Sequence, residues 1–234
     1  NENNVEIDEY EIAIIGAGGI GSHLATSLIQ ALHRGSTWRG RLINIRIYDS
    51  DRVGMENTAH QRFAYDNIGM HKVEAIVKEM RPFLGDHLQL HPCPWDIREK
   101  DDMGPADLVV VAVDSDAARR VVHYCGGLWL DLRCKGDGYI ALDSRIGSED
   151  VAVLTPTQPS SSCQLEGAIQ TGNIQFGHLL AAAHGAQWVL QCMRLLMGEA
   201  KALPPPPQAA NLTMGTLSRL QLKEESALEE SLPT

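Results

Sequence analysis

The sequence predicts an α/β domain, a mostly parallel sheet with helices on both faces. Three observations carry that prediction. Two apolar runs, Glu11–Ile15 and Asp107–Val113, have the length and composition of strands buried on both sides. Segments between such runs carry apolar residues at helical spacing, as at Leu24, Leu28 and Leu32. A glycine-rich turn, Gly16-Ala-Gly-Gly-Ile-Gly21, joins the first strand to the first helix. Strands that alternate with helices bury both faces of a parallel sheet, and a glycine turn at the first junction makes the unit Rossmann-like.

The remaining elements follow in order. Ser22–His33 is the first helix. Arg41–Tyr48 alternates Leu, Ile, Ile, Ile and Tyr as a second strand and runs into Asp49. Gly69–Met80 reads as a helix stopped near Pro82, because proline cannot continue one. Leu88–Leu90 is a short strand, and Asp107–Val113 ends at Asp114. Ala117–Cys125 is helical, and Leu128–Asp131 and Tyr139–Asp143 are further strands. Thr155–Cys163, rich in Pro, Ser, Thr and Gln, is a loop. Ile174–Met197, rich in Ala and Leu, is one long, largely buried helix. Pro204–Pro207 forces an extended spacer, since no proline donates a backbone hydrogen bond. Asn211–Leu222 adds a strand or short helix, and Lys223–Thr234 is an acidic, mobile extension. The expected division is a domain over residues 1–198 and a proline-rich spacer with an acidic tail over 199–234. Gly16, Asp49 and Asp114 all follow strand ends, where open parallel sheets bind ligands, so one crevice can hold all three.

Composition narrows the function. The 234 residues are 44% hydrophobic and 21% charged, enough to build a core. With 30 acidic against 20 basic residues the net charge is −10, which argues against a nucleic-acid-coating protein. No apolar run reaches the ~18–20 residues of a membrane span. Asn1–Glu11 is polar and acidic, unlike a signal or transit peptide. The five cysteines are scattered and form no C-x-x-C pair, so a disulfide scaffold and a four-thiolate zinc site are both unsupported. A reducing cytoplasm is the expected setting.

The glycine turn suits nucleotide phosphates. Gly16, Gly18 and Gly21 let a backbone come close, and the following helix offers free N–H groups. Asp49, after the second strand, suits a ribose hydroxyl. On this motif alone NAD and ATP are equal. The polar run from Asp49 through Asp51, Asn57, Gln61 and Arg62 to Lys72 favours nucleotidyl transfer, which needs cations and amides around phosphates and a carboxylate for Mg²⁺. Asp114 is placed to hold that metal. The chain has no G-x-x-x-x-G-K-[ST], which excludes a Walker-type site.

Together these residues resemble the ThiF/MoeB/ubiquitin-activating superfamily. The resemblance runs over about residues 11–198 and includes Gly69 with Lys72, Asp114 with Arg119, and Cys163-Gln-Leu-Glu-Gly167. Leu128-Trp-Leu-Asp-Leu132, Pro159-Ser-Ser-Ser-Cys163 and Leu203-Pro-Pro-Pro-Pro207 are similar to the ThiF-like proteins of bacterial PRTRC-type loci. The resemblance implies a ThiF/MoeB-type adenylation domain. It would be an ATP- and Mg²⁺-dependent adenylyltransferase acting on the C-terminal carboxylate of a small β-grasp protein, ubiquitin-like or sulfur-carrier. Gly16, Gly18, Gly19 and Gly21 would then cradle phosphate, Asp49 and Asp51 would contact the nucleotide, and Asn57, Gln61 and Lys72 would hold the triphosphate. Asp114 would bind Mg²⁺, beside Ser115 in place of the family's asparagine. His60 stands where the family usually has an arginine, and Arg62 is expected to supply the missing charge. A homodimer, and a conjugating enzyme or sulfur donor as further partner, are implied as well.

Cys163, in a Ser/Gln loop ahead of a helix, is the candidate thiol for a later thioester or persulfide; an ordinary loop cysteine is the alternative. Cys134 has basic neighbours but sits at a strand end, and Cys192 belongs to the core. His178 and His184 read as buried, hydrogen-bonded residues of an apolar helix. Two rival functions stand beside adenylation. One is a nicotinamide-dependent oxidoreductase using the same glycine turn; the other is a non-catalytic relative that binds nucleotide as a scaffold.

Overall fold

The computed structural model describes residues 8–155 and 162–219. Its centre is an eight-stranded sheet of order β3-β2-β1-β4-β5-β6-β7-β8. The strands are β1 (Glu9–Ile15), β2 (Leu42–Tyr48), β3 (Leu88–Cys93), β4 (Leu108–Val111), β5 (Leu128–Lys135), β6 (Gly138–Asp143), β7 (Gln208–Asn211) and β8 (Gly215–Arg219). The first five pair in parallel, and β5 to β8 continue antiparallel. The helices are α1 (Gly19–Arg34), α2 (Lys72–Met80), α3 (Asp116–Tyr124), α4 (Ser148–Val153), α5 (Ala168–Thr171) and α6 (Gly177–Leu196). Among the described residues no helix is long and apolar enough to cross a membrane.

The two-residue period of the strands sorts the core into two layers. Ile12 and Ile14 of β1 pack with α1, α2 and α6, while Ala13 and Ile15 turn to the other face, toward α3 and α4. Both faces are covered, as the continuous apolar runs require. Helix α1 buries Leu24, Leu28 and Leu32 on one stripe. It lies against α6 at Gly185, where a Cβ would collide with Leu24 and Leu132 side chains.

The differences from the sequence reading have local causes. β3 continues past Leu90 through Pro92 to Cys93. It is an edge strand, so proline's missing donor costs no ladder bond on the open side. The long helix begins at Gly177, three residues later than expected from Ile174. The boundary drawn at 198 does not end the sheet, because β7 pairs with β6 and β8 with β7. Pro204–Pro207 is extended, and it leads the chain back to the sheet edge. Its carbonyls are bound by Arg145, which donates to Pro204 O and Pro205 O while its guanidinium pairs with the buried Asp143 at 2.6 Å. Trp188 Nε1 donates to the same carboxylate at 3.1 Å, so the proline segment is anchored to α6 through one buried group. The acidic extension over 223–234 and the loop residues 156–161 lie outside the described residues.

Candidate active site

β1 leads through α1 to β2 on one face, and β4 leads through α3 to β5 on the other. The carboxyl ends of β1 and β4 are therefore a topological switch point, the place where such sheets leave a crevice. A cavity of about 520 Å³ opens there. Its walls include the glycine turn, Asp49, Asp51, Asn57, His60, Gln61, Lys72, Asp114, Arg119, Arg133, Cys134 and Cys163. One crevice thus collects residues from across 154 positions of sequence (16 to 169).

The glycine turn performs two separate tasks. Gly16 sits at φ +103°, where a side chain is strained, and a Cβ there would press within 2.6 Å of the Ala112 carbonyl oxygen. It lets β1 turn close against the end of β4. Gly18 has nothing within 4 Å of where its Cβ would be, so this backbone faces the open cavity. No side chain caps α1, and its first N–H groups stay available to an anion.

Asp49 is tied to this turn. One oxygen accepts the Ala17 N–H at 2.7 Å and the other accepts the Asp51 N–H at 2.9 Å. Burial pushes its pKa up, against the Lys72 charge and those two N–H groups. Lys72 begins α2 and is almost wholly buried; its ammonium lies 2.7 Å from Asp51 Oδ2, whose side chain is 66% exposed. Asn57 closes the Met55–Ala59 turn by accepting the Gly54 N–H at 2.8 Å through Oδ1, which leaves its NH₂ as a donor at the cavity. Gln61 Oε1 is buried without a partner, an unmet polar atom in the same wall. Asp114 is exposed at the end of β4, and its carboxylate makes no hydrogen bond or ion pair among the described residues.

A second tier of charge comes from β5. Asp131 is fully buried, and Arg133 Nη2 at 2.6 Å, His123 Nε2 at 3.0 Å and Arg119 Nε at 3.5 Å surround it. Burial alone raises its pKa, but the bonds from His123 and Arg133 and the charges of Arg133 and Arg119 bring it below the usual carboxylate range. Arg119 also donates to Val113 O at 2.5 Å, next to Asp114, and Arg133 donates to Leu154 O and Thr155 Oγ1. Two guanidiniums are thereby fixed in the cavity wall without free rotation.

The family model described as the ThiF family matches residues 1–229. The chain belongs to the ThiF family. Ubiquitin-like modifier-activating enzyme 5 of Drosophila ananassae is 27% identical over 138 residues, covering 50% of this chain and 32% of that protein. Among solved structures, E. coli MccB with ATP matches at a TM-score of 0.63 and 16% identity, covering 91% of this chain and 64% of that one. PaaA matches at 0.63 and 15%, covering 88% and 62%. The chain therefore spans about a third of its curated relative and less than two thirds of these solved chains.

Within this ThiF-family cavity the expected residues divide. Gly16, Gly18, Gly19, Asp49, Asp51, Asn57, Gln61, Lys72, Asp114 and Cys163 are brought together. Gly21, Ser115 and Arg62 are not among the lining residues. Gly21 is inside α1, where a Cβ would overlap the Gly16 carbonyl oxygen; its role is helix–strand packing rather than phosphate contact. Ser115 is the N-terminal flank of α3, with Asp114 and Asp116 lining the cavity on either side of it. Arg62 is exposed, and its main-chain N–H donates to Ser22 Oγ at 3.1 Å. The turn over Met55–Ala59 ends at His60 with ψ −6°, so the segment from His60 to Arg62 is not an extended loop. His60 itself lines the cavity, its pKa lowered by burial and by the charges of His23 and Lys72. Its ring meets His178 at 5.8 Å, and His178 is pushed down to about 4, chiefly by burial.

Asp131 and Arg133 were missed as site residues. Their signal is the acidic residue inside the apolar run Leu128-Trp-Leu-Asp-Leu132, since an unpaired buried carboxylate is too costly to keep. His178 and His184 are buried and hydrogen-bonded, as their helix suggested. Cys192 is in the core.

The residues present fit a magnesium nucleotide: Lys72, Arg119, Arg133 and a glycine backbone open to the cavity would meet phosphate charge, and Asp114 would hold the metal.

Proposed function

We propose that this chain adenylates a carboxylate, using Mg·ATP, and that the carboxylate is the C-terminus of a small ubiquitin-like or sulfur-carrier protein. The observation that carries the reading is the joint presence in one switch-point cavity of an open glycine backbone, three cations and the unengaged Asp114. The solved MccB relatives with ATP and with the peptide MccA support the same reading at the level of fold.

The chemistry needs little beyond placement. The attacking carboxylate is itself the nucleophile at the α-phosphorus, so no general base is required. Lys72 is buried with Asp51 as its counter-ion, and the triphosphate would share that ammonium. Arg119 and Arg133, held by Asp131, meet charge as it develops on the phosphate oxygens without reorganising. Asn57 offers its NH₂ for orientation. Asp114 would hold Mg²⁺, which when bound neutralises phosphate charge. Cys163, in the same wall, would take up the activated acyl group as a later step.

The test is pyrophosphate exchange with Mg·ATP and a carrier protein ending in Gly-Gly, with calorimetric titration of ATP and NAD alongside. Exchange that Asp114→Ala abolishes without unfolding supports the reading. Tight NAD binding with silence toward Mg·ATP refutes it in favour of the oxidoreductase, and ATP binding without exchange on any carrier refutes it in favour of the scaffold.

A further inference from the structure

Two of the five cysteines face the nucleotide cavity, and they face each other. Cys134 is on β5, and Cys163 lies across the crossover segment; both line the cavity and both are partly exposed. Each thiol is near enough to shift the other, Cys134 upward and Cys163 downward. Two main-chain anchors fix the approach: Gly136 N–H donates to Cys163 O at 2.8 Å, and Lys135 Nζ donates to Ser162 O at 3.0 Å. The segment that carries Cys163 is therefore held beside the end of β5.

We propose that Cys134 and Cys163 form an oxidisable dithiol in which Cys163 takes up a hydroperoxide oxidant and Cys134 resolves it as an intramolecular disulfide across the cavity wall. This inference rests on the reading of the cavity only for its consequence, not for the pairing itself.

The environment assigns the two roles. The hydrogen bond from Cys134 lowers the Cys163 pKa, and Arg119 and Lys135 add to that against burial and Asp114. The same hydrogen bond, then burial, raises Cys134. Cys163 has the greater thiolate character of the pair, and thiolates react with peroxide. Its sulfur attacks one peroxide oxygen, the O–O bond breaks, hydroxide leaves, and Cys163 becomes the sulfenic acid. The Cys134 sulfur then attacks that sulfenic sulfur; the S–O bond breaks and its oxygen leaves as water with the Cys134 proton. Two thiols and one peroxide give one disulfide and two waters. Without a resolving thiol, a sulfenic acid goes on to the irreversible sulfinic acid. The other thiols are placed otherwise: Cys93 and Cys192 are buried, and burial raises Cys125. As a consequence, the disulfide withdraws Cys163 from acyl capture while leaving Lys72 and Asp114 in place.

The test uses the full chain, reduced and then treated with a small excess of hydrogen peroxide, alkylated, digested and mapped. The expected result is a linked peptide pair joining Cys134 to Cys163, lost on adding dithiothreitol. In Cys134→Ser, dimedone should label Cys163, and longer exposure should give sulfinic acid that dithiothreitol does not reverse. In Cys163→Ser neither product should form. Separately alkylated Cys134 and Cys163 in the oxidised wild type, or a link through Cys93, Cys125 or Cys192, would overturn the proposal. The mapping needs no nucleotide, so failed pyrophosphate exchange would defeat the functional reading and leave this one standing.

Discussion

Asp131→Asn is the perturbation that most directly probes how the cavity is built. The carboxylate is 0% exposed, and the side chains of its partners His123, Arg119 and Arg133 are 6%, 12% and 17% exposed. The amide keeps the volume and removes the charge, leaving Arg133 without its carboxylate and Arg119 with Asp116 alone. Breaking a buried ion pair in this way costs ~3–5 kcal/mol. With a urea dependence of ~2–3 kcal/mol per molar for a chain of this size, the midpoint should fall by ~1–2 M. Asp66→Asn is the control, because its pair with Lys78 is 70% and 52% exposed and is worth only ~0–1 kcal/mol. The pH dependence follows from the lowered pKa. The folded value lies below the unfolded value of ~3.9, so the stabilisation is complete above that pH and is lost as pH falls through the folded pKa. The gap between wild type and Asp131→Asn should therefore persist from pH 7 to ~5 and close only in strong acid, below the unfolded value. Urea unfolding followed by circular dichroism at several pH values measures it. A midpoint no lower than that of Asp66→Asn would refute the argument, and so would a gap that closes above pH 5.

His60→Ala should reduce pyrophosphate exchange more than Arg62→Ala does, because His60 lines the cavity and Arg62 is exposed outside it; the larger loss at Arg62 would reverse the assignment. Gly21→Ala should destabilise by ~1–3 kcal/mol or more, since its methyl meets the Gly16 carbonyl, whereas Gly18→Ala should leave the melting temperature nearly unchanged and weaken ATP binding in a calorimeter. His184 is buried beside Tyr139 and Gln208 with its pKa pushed down to about 4, so its contribution is complete above ~6.5 and lost as pH falls toward 4. His184→Gln should flatten the pH dependence of the urea midpoint across that window, and an unchanged slope would show that His184 does not titrate there.

The parallel half of the fold was legible because its signals are local. A run such as Ile12-Ala-Ile-Ile15 can be buried on both faces only in a covered sheet, and Gly16 and Gly18 punctuate it within three residues. The antiparallel half was legible only in part: Tyr139–Asp143 reads as a strand, but β7 does not. β7 is four residues, Gln208–Asn211, without a clear apolar alternation, and its place is set by pairing with β6 some seventy residues earlier. The proline run looked like a departure from the domain, yet it is held by Arg145, whose own position depends on Asp143 and Trp188. No window of sequence contains that relation.

The site shows the same division, and exposure explains it. Three carboxylates near the cavity carry the same side chain and differ only in surroundings. Asp131 is fully enclosed, so its charge is spent on Arg119 and Arg133 and it fixes them. Asp51 is 66% exposed and has one partner, Lys72, so that ammonium can be shared with an incoming phosphate at modest loss. Asp114 has no partner among the described residues, which is why the proposed function gives it the cation. Position along the chain picked out Asp49 and Asp114, which follow strand ends where ligands gather, and Asp51 through the polar run that follows Asp49. It could not rank them, and it passed over Asp131, because the ranking depends on which cations the sheet order brings alongside. An acidic chain of net charge −10 thereby places two guanidiniums among the carboxylates of its central crevice: the buried Asp131 holds both, and Asp116 pairs with Arg119 as well.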